Sequence, residues 1–259
     1  MGIRPVAEIE TLNYQIMMNL NTSTEAPNTT ETAIGFIPCY RLSFLSLFHA
    51  DCMEIMKQYP DKYFDLAIVD PPYENNDAIG LKDNTGVKKQ ATKRTNYKVF
   101  ENIAPSPEYW QELKRISKDQ IVWGGNYFGL KGGVIAWNKN GTAFGEGEVA
   151  ICTTHNSVRF FEYTWNGMLQ GNMKNKEVRV HPTQKPIELY DYILTRYAKP
   201  NFKILDTHLG SGSIAIAVEK ANRLDKMNLQ FVGIEIDKEY YEAALNRIEQ
   251  YCRQGTLSF

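Results

Sequence analysis

An open α/β sheet is the fold class this 259-residue sequence predicts, and three stretches predict it. Phe64–Val69 (FDLAIV) is an apolar run of strand length with little polar alternation, the pattern of a strand buried on both faces. Phe202–Asp206 (FKILD) is a second strand and runs into the glycine-bearing turn Thr207–Ser213 (THLGSGS). Leu229–Ile234 (LQFVGI) is a third, with Glu235 at its end. Each apolar strand thus ends in a polar or acidic group, where open α/β sheets bind their ligands. With 43% hydrophobic residues the chain can bury one sizeable core, with or without an insertion.

In chain order, residues 1–35 read as a peripheral segment. Asn19–Thr32 is rich in Asn, Thr, Ser and Glu and can bury little surface; a short helix over Ile9–Leu20 precedes it. Ser43–Phe48 is a strand. His49-Ala50-Asp51-Cys52 turns into a short helix with Met53, Ile55, Met56 and Tyr59 on its apolar face, and Asp51 stands at the N-cap position. The strand Phe64–Val69 ends in Asp70-Pro71-Pro72-Tyr73. The prolines cannot continue a ladder and stiffen the backbone beyond it. Asp70 is thereby aimed into the crevice, with the Tyr73 ring beside it.

Residues 74–105 form a polar insertion. Within residues 82–98, Lys82, Lys88, Lys89, Lys93, Arg94 and Lys98 stand against the single acid Asp83. Net charge is −1 and the pI about 6.5, so any nucleic-acid footprint must be local, and this insertion is the candidate. Ser106-Pro107-Glu108 starts a helix with Trp110, Leu113 and Ile116 on its apolar side. Gln120–Trp123 is a strand, and Gly124-Gly125 at its end lets another group come close. Gly133–Trp137, Glu148–Thr153 and Arg159–Thr164 are further strands. Asn126, Tyr127, Trp137 and Lys139 are candidates for lining a base pocket, against the plain alternative that the aromatics are core. Gly167–Val180 is a second, mildly basic connection. His181-Pro182-Thr183-Gln184-Lys185-Pro186 opens a helix to about Arg196, whose first-turn N–H groups favour an anion. Ile214–Asn222 and Asp237 to about Cys252 are the last two helices.

Cys39, Cys52, Cys152 and Cys252 are scattered without a C-x-x-C pair, which argues for a reducing compartment and against a zinc site. No apolar run approaches a membrane span. A cytoplasmic location is expected.

Asp70-Pro71-Pro72-Tyr73 resembles the catalytic motif of DNA amino-methyltransferases, which modify adenine N6 or cytosine N4. His181–Pro186 resembles the motif these enzymes carry before their cofactor strand. The catalytic block comes first and the cofactor block last, an order similar to the permuted, beta-class group. The resemblance runs from Phe44 to Ile248. It implies a class I methyltransferase: a doubly wound, mostly parallel seven-stranded sheet with one antiparallel strand, forming a domain at 36–259. It implies S-adenosylmethionine as donor, S-adenosylhomocysteine as product, no metal, and double-stranded DNA as substrate with the target base flipped out. A second copy and a cognate restriction endonuclease are candidate partners.

The implied catalytic residues are Asp70, Pro71, Pro72 and Tyr73. For the cofactor they are Asp51, Asp70, Thr183, Lys185, Asp206, His208, Gly210, Ser211, Gly212 and Glu235, and for DNA Lys88, Lys89, Lys93 and Arg94. Cytosine-N4 enzymes more often carry Ser where Asp70 stands, which favours adenine. The chain departs from the family at Thr207 and His208, where a proline and an aromatic are usual. Gly210-x-Gly212-x-x-Ala215 with Glu235 also fits a dinucleotide fingerprint. An NAD-dependent oxidoreductase would leave Asp70–Tyr73 and His181–Pro186 unexplained, and a non-catalytic DNA-binding scaffold would leave the intact tetrapeptide unexplained.

Overall fold

The computed structural model describes residues 40–73, 103–141, 145–166 and 169–256. The expected helix at 9–20, the 1–35 segment and the basic residues Lys88, Lys89, Lys93 and Arg94 lie outside them.

Nine strands among the described residues form one sheet. In chain order they are β1 (Tyr40–Leu42), β2 (Leu45–His49), β3 (Phe64–Val69), β4 (Ser117–Trp123), β5 (Gly133–Asn138), β6 (Gly147–Cys152), β7 (Val158–Glu162), β10 (Lys203–Asp206) and β11 (Gln230–Glu235). A separate ribbon pairs β8 (Trp165–Asn166) with β9 (Leu169–Gln170). The helices are α1 (Cys52–Met56), α2 (Pro107–Ile116), α3 (Ile187–Tyr197), α4 (Ser213–Asp225) and α5 (Lys238–Thr256).

The spatial order is β1-β2-β11-β10-β3-β4-β6-β5-β7. From β2 to β4 every neighbouring pair is parallel. β6 runs antiparallel to both β4 and β5. The stretch from β2 to β5 is thus the expected seven-stranded sheet with one reversed strand. Two short edge strands extend it, β1 antiparallel to β2 and β7 parallel to β5.

Strand alternation divides the core between the two faces. Leu45, Leu47, Leu66, Ile68, Ile121 and Trp123 join a cluster with residues of α3, α4 and α5. Val122 and Val69 are buried outside it, as are Ile55 and Met56 of α1 and Tyr109, Leu113 and Ile116 of α2. Each such aliphatic side chain contributes about 1.5–3 kcal/mol when fully buried. α2 shows the local logic: Pro107 sits in its first turn, Glu108 faces the positive helix end, and Lys114 and Arg115 face the negative one.

From β10 the chain crosses by α4 to β11; from β3 it crosses by α2 to β4, in the opposite direction. The sheet therefore has its topological switch between β10 and β3, which pair through only Ile204↔Leu66 and Leu205↔Ala67. Beyond those residues the carboxyl ends diverge, and a crevice opens where open α/β sheets take ligands.

Candidate active site

The crevice holds a cavity of about 240 Å³. Four stretches far apart in sequence meet there: Asp70–Tyr73 after β3, His181 and Thr183–Lys185 before α3, His208–Ser211 after β10, and Glu235–Asp237 after β11. Glu148, Tyr190 and Tyr240 complete the lining.

Glu235 fixes the glycine turn. One carboxylate oxygen accepts the Gly210 N–H at 2.8 Å and the other the Asp237 N–H at 2.9 Å. Gly210 has φ +51°, the left-handed region that favours glycine. Burial raises the Glu235 carboxyl, and the two backbone N–H bonds offset part of the rise. Gly212 also has positive φ, but its α-carbon faces α5: a Cβ there would lie 2.9 Å from Ile248. Its glycine serves helix packing, away from the cavity lining.

Asp206 and Asp51 are likewise absent from the lining. Asp206 is buried, accepts the His208 N–H at 2.9 Å, and has its carboxyl pushed up to about 8 by burial. Asp51 caps α1, accepting the Met53 N–H at 2.7 Å. Thr207 and His208, the departures from the family motif, build a chain: the Tyr109 hydroxyl lies 2.7 Å from Thr207 Oγ1, which lies 2.9 Å from His208 Nδ1. Burial lowers His208 to about 4, so its ring is neutral at physiological pH.

The hexapeptide is strapped to the glycine turn. Ser213 Oγ donates to the Lys185 carbonyl at 2.7 Å and accepts from Arg247, which also donates to the Ser211 carbonyl at 2.8 Å. Arg247 pairs with Glu177 as well. Glu177 in turn accepts the Ile187 N–H at 2.9 Å, so the anion at the start of α3 is a side chain of this protein. Thr183 is exposed and donates its N–H (3.3 Å) and hydroxyl (3.1 Å) to His181 Nδ1.

Lys185 is only 4% exposed. Its ammonium meets Asp70 Oδ2, lies 3.2 Å from Glu148 Oε2, and stands over the Trp123 ring. Lys139 binds the other Glu148 oxygen. Burial opposes the charge on Lys185, but Asp70 and Glu148 outweigh it and hold the amine well above its ordinary value. Burial would raise Glu148 too, yet Lys185 and Lys139 hold it at about 2. Burial raises Asp70, and Lys185 offsets part of that rise.

Tyr73 stacks on Tyr127, with ring centroids 4.6 Å apart and planes 11° from parallel. Gly124, with φ +65°, is what admits Tyr73: a Cβ there would lie 2.5 Å from its Cε1. Burial pushes the Tyr73 hydroxyl up, so it stays protonated at neutral pH. Of the other base-pocket candidates, Asn126 is exposed, while Trp137 is a core residue, 1% exposed, with its indole N–H donated to the Tyr163 carbonyl at 3.0 Å. Sequence reasoning missed Glu148, Tyr190 and Asp237. The first stands directly before the apolar run Val149–Cys152, the one signal the sequence offered for it.

Residues 87–246, more than half of the chain, match the N6/N4 DNA methylase family model. The type II methyltransferase M.HinfI of Haemophilus influenzae is 24% identical over 255 residues, covering 79% of this chain and 68% of its own length. The putative methylase YubD of Escherichia coli is 22% identical over 224 residues, covering 80% and 93%. Among solved structures, the cytosine-N4-specific PvuII DNA methyltransferase shares the fold with a TM-score of 0.56 at 12% identity, over 86% of this chain and 95% of that one.

Proposed function

Because the chain belongs to the N6/N4 DNA methylase family, we propose that it transfers a methyl group from S-adenosylmethionine to the exocyclic N6 of an adenine flipped out of double-stranded DNA. The observation that carries this is the meeting of Asp70–Tyr73 with Lys185, Gly210 and Glu235 around one cavity at the switch point.

The cavity suits the donor. Asp70, Glu235 and Asp237 bring carboxylates to it, as a ligand carrying a sulfonium and an ammonium group requires. Tyr190 and Tyr240 supply aromatic walls. Glu235 and Asp237 would hold the ribose end. Gly210 and Ser211 bring backbone close to the ligand, and Thr183 is the polar contact of the hexapeptide.

An exocyclic amine is a poor nucleophile because its lone pair is delocalised into the ring. The Asp70 carboxylate accepts one N–H and the Pro71 carbonyl the other, drawing the nitrogen toward tetrahedral geometry. That frees the lone pair for the methyl group, which S-adenosylmethionine supplies on a cationic sulfonium when bound. Asp70, bonded to an N–H, takes the surplus proton. Tyr73 offers a ring face to the flipped base, a contact worth about 1–3 kcal/mol. Positioning and preorganised electrostatics are the principal sources of rate acceleration at such a site.

The roles assigned to the site residues belong to this proposal. So does the division into a peripheral segment 1–35 and a methyltransferase domain 36–259, whose insertion at 74–105 carries Lys88, Lys89, Lys93 and Arg94 to the phosphate backbone. The same geometry would polarise cytosine N4, so the base is read by experiment. Methylation-sensitive sequencing of DNA from cells expressing this chain should show N6-methyladenine at one recurrent sequence. Methylation confined to cytosine N4 would refute the adenine assignment.

A further inference from the structure

Glu148 lies on β6, the reversed strand of the sheet, joined to Asp70 through Lys185 and outside the stretches that carry the family resemblance. Its two oxygens hold two different lysines: Oε1 binds Lys139, and Oε2 lies 3.2 Å from Lys185. Lys185 is buried and divides its ammonium between Glu148 and Asp70. Two acids and two bases thus form one neutral, water-poor cluster.

That arrangement answers a difficulty in the methyl-transfer reading, on which this inference rests. In the resting protein Lys185 occupies Asp70 Oδ2. The same carboxylate must accept an N–H of the target amine, and it must stabilise positive charge as the amine lone pair forms the new N–C bond, the donor's S–CH₃ bond breaks with its electron pair passing to sulfur so that S-adenosylhomocysteine leaves, and one proton passes to Asp70. A buried ammonium left with only Asp70 would compete for that carboxylate and repel the developing cation. We propose that Glu148 is a positioning residue for methyl transfer: it shares Lys185 with Asp70 and keeps that cation paired when Asp70 turns to the amine. Lys139 keeps Glu148 ionised in the meantime.

The charged and titratable groups acting on Asp70 are Tyr73, Lys139, Glu148, Lys185, Tyr190 and Asp206. Glu148 raises the Asp70 carboxyl and Lys185 lowers it. Neutralising Glu148 therefore moves Asp70 ionisation to lower pH while leaving Lys185 fully on Asp70.

The test is Glu148→Gln, read in two ways. Single-turnover methyl transfer to DNA should fall by about 10–100-fold, the scale of misplacing a reacting group, while donor affinity stays near wild type; the melting temperature should fall as well, because two buried ammonium groups lose a shared partner. Carbon NMR of aspartate-labelled, donor-free protein, with Asp70 assigned through Asp70→Asn, should show Asp70 titrating at lower pH in the variant. Glu148→Asp should recover part of the rate. An unchanged rate with an unmoved Asp70 titration overturns the role, and so does a rate loss matched by lost donor binding. A wild-type protein that methylates no DNA sinks the methyl-transfer reading and this role with it. An active wild type with an unaffected variant sinks only the role of Glu148.

Discussion

Gly124→Ala isolates the placement of Tyr73 from its chemistry, because it leaves every group at the cleft intact. Gly124 directly follows β4 with φ +65°, where a Cβ costs about 1–2 kcal/mol. For a domain of this size that corresponds to a melting temperature lower by about 2–8 °C. The second effect is steric. The alanine methyl would stand 2.5 Å from Tyr73 Cε1, whereas carbon contacts settle at about 3.5–4.0 Å. The ring must shift by about 1 Å, and its stacking partner Tyr127 is exposed and able to yield. A displacement of that size at a reacting centre costs about 10²-fold in rate. Glu235, Gly210 and Asp237 lie on other strand ends and should bind the donor as before. Thermal melting, donor calorimetry and single-turnover transfer of labelled methyl groups measure the three effects separately. A variant with the lowered melting temperature but wild-type transfer would show that the position of the Tyr73 ring does not matter to the reaction.

Three further expectations can be tested separately. Glu235→Gln turns an NH₂ group against a backbone N–H that now donates to a carboxylate oxygen; donor affinity should fall by about 10–100-fold in calorimetry, since a charge-assisted bond contributes about 1.5–3 kcal/mol. Asp206 is held at about 8 by burial but ionises near 3.8 when unfolded, so the folded chain keeps a proton that the unfolded chain has lost across that window. Stability therefore falls as pH rises from about 4 to about 8, by at most about 1.4 kcal/mol per pH unit, and Asp206→Asn should flatten the slope in urea titrations at pH 5 and pH 8. Replacing Lys88, Lys89, Lys93 and Arg94 by Ala should weaken DNA binding and flatten its dependence on salt, because fewer counterions are released, while donor affinity holds.

The strands that end in Asp70, Asp206 and Glu235 were legible because both sheet faces are covered, which makes their sequences continuous apolar runs with abrupt polar ends. The glycine turn was legible as a turn, but the reasons for its glycines differ: Gly210 faces the cavity and Gly212 faces Ile248. Sequence alone could not separate them, since φ is positive at both. Glu148 was illegible because an acid near the end of a strand ordinarily faces water, and its partner Lys185 reaches it only through the fold. Lys185 was expected as a polar contact of the donor; it lines the cavity, and its ammonium is enclosed by Asp70 and Glu148, which only the fold brings to it. Asp51 shows the opposite case, with its local capping bond read directly from sequence and its distance from the lining set by tertiary packing. The edge strand β1 went unread, and β7 was read as running two residues too far, because short strands paired on one side carry little periodic signal.

The central claim is that Asp70 activates an exocyclic adenine amine in this cleft, and mass spectrometry of digested DNA tests it most directly. DNA incubated with the wild-type protein and S-adenosylmethionine should yield N6-methyladenine. With Asp70→Ala the yield should fall by about 10²–10³-fold, the effect of removing one preorganised electrostatic partner, although calorimetry still shows donor bound. N6-methyladenine formed at the wild-type rate by Asp70→Ala would contradict the mechanism, and N4-methylcytosine as sole product of the wild type would contradict the target.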